Sequence, residues 1–222
     1  MPSGRGAKPL RAYFNTIVYP VYGFLAANIV TIVFFDRKVE GIDASIVRID
    51  DYLMAFFIVE RMIRSGCRKI VHLAGPDHIS NGYDRHRGYR EALEKFSIPY
   101  DKRYVIKGGL SAEEGAAAVE KFMSQGLDFD GLFGFTETST LGAKSSLQKK
   151  NFRIPEDVSL CCISGTALCT LVHPTVTAVE QPVVEMATLS CRLLLKHIAD
   201  PNAAIESAIL RGDIVERESF RT

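Results

Sequence analysis

From Val30 to its end the chain alternates two textures, and that alternation limits what it can fold into. Short β-branched apolar runs are followed by longer stretches whose apolar residues recur at helical spacing. TIVFF (31–35), SIVRI (45–49), KIVHLA (69–74), RYVIKG (103–108), GLFGF (131–135), VSLCCI (158–163) and SAILRGDIV (207–215) predict strands. Tyr52 to Ser65, Arg85 to Phe96, Ala112 to Ser124, Thr138 to Lys149 and Val183 to Ile198 predict helices. Gly66, Gly126 and Asn151 stand where a helix needs a left-handed closing residue, and Ser111 with Glu114 has capping-box spacing. Strands alternating with helices require parallel pairing through right-handed crossovers, so the fold class is α/β, with helices on both faces of an open sheet.

In such sheets ligands gather outside the carboxyl ends of the strands. The loops there are DRKVEG after Phe35, GPDHISNGYD after Ala74, TETS after Phe135 and SGTALCTLVHP after Ile163. Their polar members include Asp36, His78, Ser80, Asn81, Arg85, Thr136, Glu137, Ser164 and Thr166. Mixed donors and acceptors, few aromatics and a guanidinium at a helix start suit a polyhydroxylated or carboxylated small molecule.

Composition excludes several classes of function. Lys and Arg total 27 against 26 for Asp and Glu, a net charge of +1, so no global field favours nucleic acid or a membrane surface. The five cysteines show neither a disulfide framework nor metal-ligand spacing, and a reducing cytoplasm is the simplest compartment. Cys161 and Cys162 lie in an apolar run and read as packing. There is no G-x-S-x-G elbow, P-loop or H-E-x-x-H, which leaves an enzyme, a cofactor or a metal without support. The acidic pair Asp50-Asp51 leads into a helix and reads as complementing its dipole. An uncharged run before residue 35, preceded by Arg5, Lys8 and Arg11, is open to three readings: signal peptide, membrane span, or buried helix followed by a strand. Its polar residues, Pro20 and Gly23 favour the last of these.

The series FFDR, GID, SIV and GCRKIVHLAGP, the R-x-x-G-Y of Arg85, Gly88 and Tyr89, then FRIPEDVSL and HPTVTAVEQPVVEMA, resembles the effector-binding core of LacI/GalR-type bacterial transcription regulators from about Val33 to Phe220. The resemblance implies a periplasmic-binding-protein-like fold of type I: two doubly wound parallel-sheet lobes with a sugar-like effector in the cleft, the first lobe here truncated. It places 1–44 and 178–200 in the first subdomain, and 45–177 and 201–222 in the second. It further implies a cytoplasmic homodimer that meets DNA only through a headpiece this sequence does not show. The alternatives are a periplasmic or secreted sugar-binding protein of the same fold, or a non-functional truncated product.

Carried over residue by residue, the resemblance makes Asp36 a ligand acceptor and Arg85 the ligand-reaching guanidinium. His78, Ser80, Thr136, Glu137 and Ser164 complete the expected binding set. Thr136-Glu137 stands where the family has Asn-Asp, and Ser164-Gly165 where it often has Asp, which alters the sugar-binding groups. Plainer readings stand beside these. Arg85 is otherwise a helix cap paired with Asp84 or Glu91, Asp36 a partner for Arg37, His78 solvent-facing, and His72 a core histidine. If Arg85 anchors the ligand, Arg85→Ala is expected to weaken binding roughly ten- to a hundredfold with little change in stability, while Arg90 faces solvent.

Overall fold

The computed structural model describes residues 31–221 except Glu40, Asp77 and His78. The N-terminal run before position 31 and the expected contact at His78 therefore lie outside the described residues. The strands are β1 (Val33–Phe35), β2 (Ser45–Ile49), β3 (Ile70–Ala74), β4 (Val105–Lys107), β5 (Gly131–Gly134), β6 (Ser159–Gly165), β7 (Thr177–Glu180), β8 (Ser207–Leu210) and β9 (Asp213–Val215). The helices are α1 (Asp51–Arg64), α2 (Ser80–Lys95), α3 (Ala112–Met123), α4 (Glu137–Lys149) and α5 (Val183–Ala199). Among the described residues no helix is long and apolar enough to cross a membrane.

Two compact units divide the chain. One runs to Arg48 and resumes over Val184–Ala208; the other is Ile49–Val183 with the residues from Ile209 onward. The crossing points drawn from sequence after 44, 177 and 200 thus fall instead after 48, 183 and 208. The shifts have a common cause in strand pairing: β2 and the start of β8 pair beside β1 in the first unit, and β7 pairs into the second unit's sheet.

The first unit holds a three-stranded sheet in the order β1-β2-β8, with β1 parallel to β2 and Phe34 opposite Ile46. The Oγ of Ser45, where β2 begins, meets His197 Nε2 of α5 at 2.7 Å and accepts the Glu206 amide at 2.9 Å.

The second unit holds six strands in the order β4-β3-β5-β6-β7-β9, parallel except for the antiparallel pair β7–β9. Both faces are covered, as the wholly buried IVHLA of β3 requires. His72 stacks on Tyr89 of α2, while the next residue, Leu73, clusters with Val119 of α3 and Leu147 of α4. Successive strand residues thus serve opposite helix layers.

Two strand expectations needed correction. SAILRGDIV is not one strand but two, one in each sheet, separated at Arg211-Gly212. A Cβ on Gly212 would lie 2.7 Å from Val179 and 2.8 Å from the Glu180 carbonyl, so only glycine allows the chain to pass so close to β7. β7 itself has no counterpart among the predicted strands. Its four residues stand between Pro174 and Pro182 and are too few to show alternation.

The helix pairs are held together by glycine. A Cβ on Gly88 would fall 2.4 Å from Tyr52 O and 2.8 Å from Phe56 N, both α1 backbone. Gly88→Ala is therefore expected to push α2 off α1 and lower stability by about 1–3 kcal/mol. Urea denaturation reads this directly, and an unchanged midpoint would refute it.

Candidate functional site at the carboxyl end of the six-stranded sheet

The loop after β3 delivers α2, whose R-x-x-G-Y motif can now be read atom by atom. Arg85 is 1% exposed and Asp51 of α1 is 0% exposed, with Arg85 Nε donating to Asp51 Oδ1 at 2.7 Å. Arg85 Nη1 donates to the Phe135 carbonyl at the end of β5, and Nη2 reaches Ser164 Oγ on β6 at 3.4 Å. The guanidinium also lies 4.5 Å from the centre of the Phe135 ring. Gly88 gives α1 and α2 their close approach, and Tyr89 Oη donates to Ile70 O at 2.8 Å. The motif is thus a helix-docking device as well as the bearer of a guanidinium aimed at the ends of β5 and β6.

This corrects two expectations. The acidic partner of Arg85 is neither Asp84 nor Glu91 but Asp51, and Glu91 accepts from Tyr52 Oη. Asp50 does cap α1, accepting the Leu53 amide at 2.9 Å, whereas Asp51 serves as a buried counter-ion. A residue so paired is not removed without cost, and Arg85→Ala is now expected to lower stability as well as affinity. Arg90 is exposed, as expected.

The remaining expected contacts fare differently. Ser80 is exposed at the first residue of α2. Thr136 is the N-cap of α4, its Oγ1 accepting the Ser139 amide at 3.3 Å. Ser164 has φ 64°, at the register shift between Ile163 and Gly165, and its Oγ also accepts from Gln181 Nε2 at 3.1 Å. Glu137 turns inward. Its carboxylate accepts the Thr166 amide at 2.8 Å, the Thr166 hydroxyl at 2.8 Å and the Cys169 amide at 3.0 Å, bracing the loop after β6. Asp36 belongs to the first unit, in a left-handed conformation (φ 63°), with Arg37 Nε 3.5 Å from its carboxylate.

Two residues stand out beyond the expected set. Asn81, 3% exposed in the first turn of α2, has an Oδ1 with no hydrogen-bond partner among the described residues. Gln181 escaped the sequence reading because it follows the unrecognised β7. Asn81 was visible as a polar loop residue, though nothing in the sequence marked its oxygen as unsatisfied.

His72 is a core histidine. Nδ1 pairs with Phe133 O at 3.2 Å, the ring stacks on Phe133, and burial drives its pKa down to about 3 from 6.5. The folded form is neutral, so the unfolded chain binds an extra proton below pH 6.5, and stability falls as pH drops from there toward 3. The expected contribution to the slope is at most about 1.4 kcal/mol per pH unit. His72→Asn, which keeps a donor for Phe133 O, should flatten the dependence measured between about pH 7 and about pH 5. Equal slopes in the two proteins would count against this.

Among the described residues no group of three or more His, Cys, Asp or Glu is placed to hold a metal ion. Cys161 and Cys162 are fully buried, and their thiols titrate well above the usual range: burial raises Cys161, while for Cys162 the hydrogen bond with Cys169 comes first and burial second.

A doubly wound sheet of this order, with its polar loops at the carboxyl ends of the strands, has the architecture of a periplasmic-binding-protein-like domain. The family profile for periplasmic binding protein-like domains matches residues 59–220, and the chain belongs to that family. It is 30% identical over 160 residues to the HTH-type transcriptional regulator CelR of Thermobifida fusca, covering 72% of this chain and 47% of CelR. It is 29% identical over 176 residues to catabolite control protein A of Priestia megaterium, covering 79% of this chain and 52% of that protein. The solved complex of the regulator CelR with cellobiose superposes with a TM-score of 0.86 at 28% identity, over 90% of this chain and 62% of that one. The chain spans about half the length of these curated relatives, both of them named as regulatory proteins rather than enzymes.

Proposed function

We propose that the chain is the ligand-sensing domain of a LacI/GalR-type bacterial transcription regulator, binding a small polar metabolite, a sugar or sugar derivative, at the carboxyl end of its six-stranded sheet. The observation that carries this reading is the set of polar groups gathered there. Asn81 holds a buried acceptor without a partner among the described residues, and Arg85, Ser164 and Gln181 are linked by hydrogen bonds. The solved CelR relative, described as a cellobiose complex, supports the ligand class.

In this reading Ser80, Asn81, Arg85, Thr136 and Ser164 contact the ligand, and Glu137 shapes the loop beside it. Calorimetric titration with neutral sugars tests it. Asn81→Ala is expected to weaken the bound sugar by about tenfold, because a hydroxyl would lose a buried acceptor. Asp36→Ala and His78→Ala enter the same titration as expected weaker binders. Failure of every sugar to bind the folded chain would reject the reading.

We further propose that the regulator acts in the cytoplasm as a homodimer. Leu168 within the 3₁₀ turn Ala167–Thr170 and Leu171 at its end, 49% and 77% exposed, are apolar surface suited to a partner. Sedimentation decides between monomer and dimer. With a net charge of +1, this stretch contributes no sequence-specific hold on DNA, which a gel shift at low salt tests.

A further inference from the structure

An arginine in a binding site ordinarily marks a receptor for carboxylates or phosphates. Whether it behaves so depends on the charge behind it. We propose that Asp51 sets the charge class of the ligand: by neutralising Arg85 within the site, it makes the carboxyl end of the six-stranded sheet a receptor for uncharged polyhydroxylated molecules and disfavours anionic ones. The inference rests on the reading of this region as the ligand site and narrows it.

Three observations carry it. First, the Asp51–Arg85 pair is buried on both sides at 2.7 Å, so the two groups present themselves to a ligand as one neutral unit. The other acceptors of Arg85 among the described residues, Phe135 O and Ser164 Oγ, are themselves uncharged. The contact to Ser164 is the longest of the three at 3.4 Å and the one most readily exchanged for a ligand hydroxyl.

Second, Glu137 is a further carboxylate at the end of β5, 5% exposed, and the donors it meets are two amides and a hydroxyl rather than a cation. Among the side chains of Asp51, Arg85 and Glu137 one guanidinium stands beside two carboxylates, so Arg85 offers an incoming anion no unopposed positive charge.

Third, Asn81 Oδ1 is a buried acceptor with no hydrogen-bond partner among the described residues. It selects a ligand that donates, which a hydroxyl does and an ionised carboxylate or phosphate oxygen does not.

The experiment has two arms. In the first, wild-type protein is titrated with D-ribose and cellobiose and with D-ribose 5-phosphate and D-gluconate. The neutral sugars are expected to bind at least about tenfold more tightly than the anions. Tighter binding of either anion would overturn the proposal.

The second arm needs no sugar and asks only about the charge at Arg85. Melting temperatures of wild type, Asp51→Asn and the double variant Asp51→Asn with Arg85→Met are compared with and without low-millimolar sulfate. Sulfate is expected to raise Asp51→Asn, whose guanidinium has lost its counter-ion, and to leave the other two unmoved. If Asp51→Asn folds only when sulfate is present, that is the same result. The proposal fails if sulfate stabilises wild type equally, or if it neither raises nor restores Asp51→Asn. Should no sugar bind while the sulfate pattern appears, the sugar reading fails and the role of Asp51 in cancelling the charge of Arg85 stands.

Discussion

Arg85→Ala is expected to destabilise the second unit by about 3–5 kcal/mol, because it takes the paired guanidinium away from the Asp51 carboxylate at 0% exposure. The loss comes mainly from the charge left behind rather than from the contact removed. It follows that replacing both partners, Asp51→Leu with Arg85→Met, should restore most of the stability, whereas either change alone should not. Arg90→Ala, at an exposed position on the same helix, should stay within about 0.5 kcal/mol of wild type. Chemical denaturation of wild type, Asp51→Leu, Arg85→Met and the double variant closes the cycle, with Arg85→Ala and Arg90→Ala measured beside them. An Arg85→Ala protein within about 1 kcal/mol of wild type would show the buried pair to be energetically idle. Because the substitution disturbs the fold, affinity at this position is better probed by Arg85→Lys, which keeps the charge and loses the planar fork.

Glu137→Ala is expected to cost about 2–4 kcal/mol, since the Thr166 and Cys169 amides and the Thr166 hydroxyl all lose one acceptor group. Glu137→Gln keeps one acceptor oxygen and should recover part of the loss. Hydrogen exchange at the Cys169 amide, which is buried, gives the local reading: faster exchange in Glu137→Ala at unchanged protection of β3 marks a released loop. Unchanged exchange at Cys169 would mean that the loop is held by other means.

The two textures of the sequence led to most of the elements, because strand and helix periods differ and their boundaries are marked by capping residues. SIVRI at 45–49 is a strand over the residues expected, and the Ser111–Glu114 capping box forms as spaced. Helix α2 begins at Ser80 rather than Arg85, since SNGYD consists of turn-forming and polar residues without apolar periodicity. The site was legible in its parts but not in its wiring. Arg85 stood out through its motif, yet its partner lies 34 residues away on another helix, and local spacing offered only Asp84 and Glu91. Glu137 read as a ligand acceptor because its loop position was visible while its three donors, 29 and 32 residues downstream, were not. Long-range packing decides such pairings, and a single sequence does not display it.

The double duty of the R-x-x-G-Y motif bears on how a binding specificity of this kind can be rewritten. Arg85, Gly88 and Tyr89 are tied to α1 and β3 by an ion pair, a backbone contact and a hydroxyl bond, so each answers to the fold before it answers to a ligand. Ser80 lies exposed at the first residue of α2, and Thr136 serves its helix through a hydroxyl that caps it and meets Ser139 Oγ, a role that Ser would also fill. A redesign that holds the first three fixed and varies the last two would search ligand space without repeatedly crossing the threshold of unfolding.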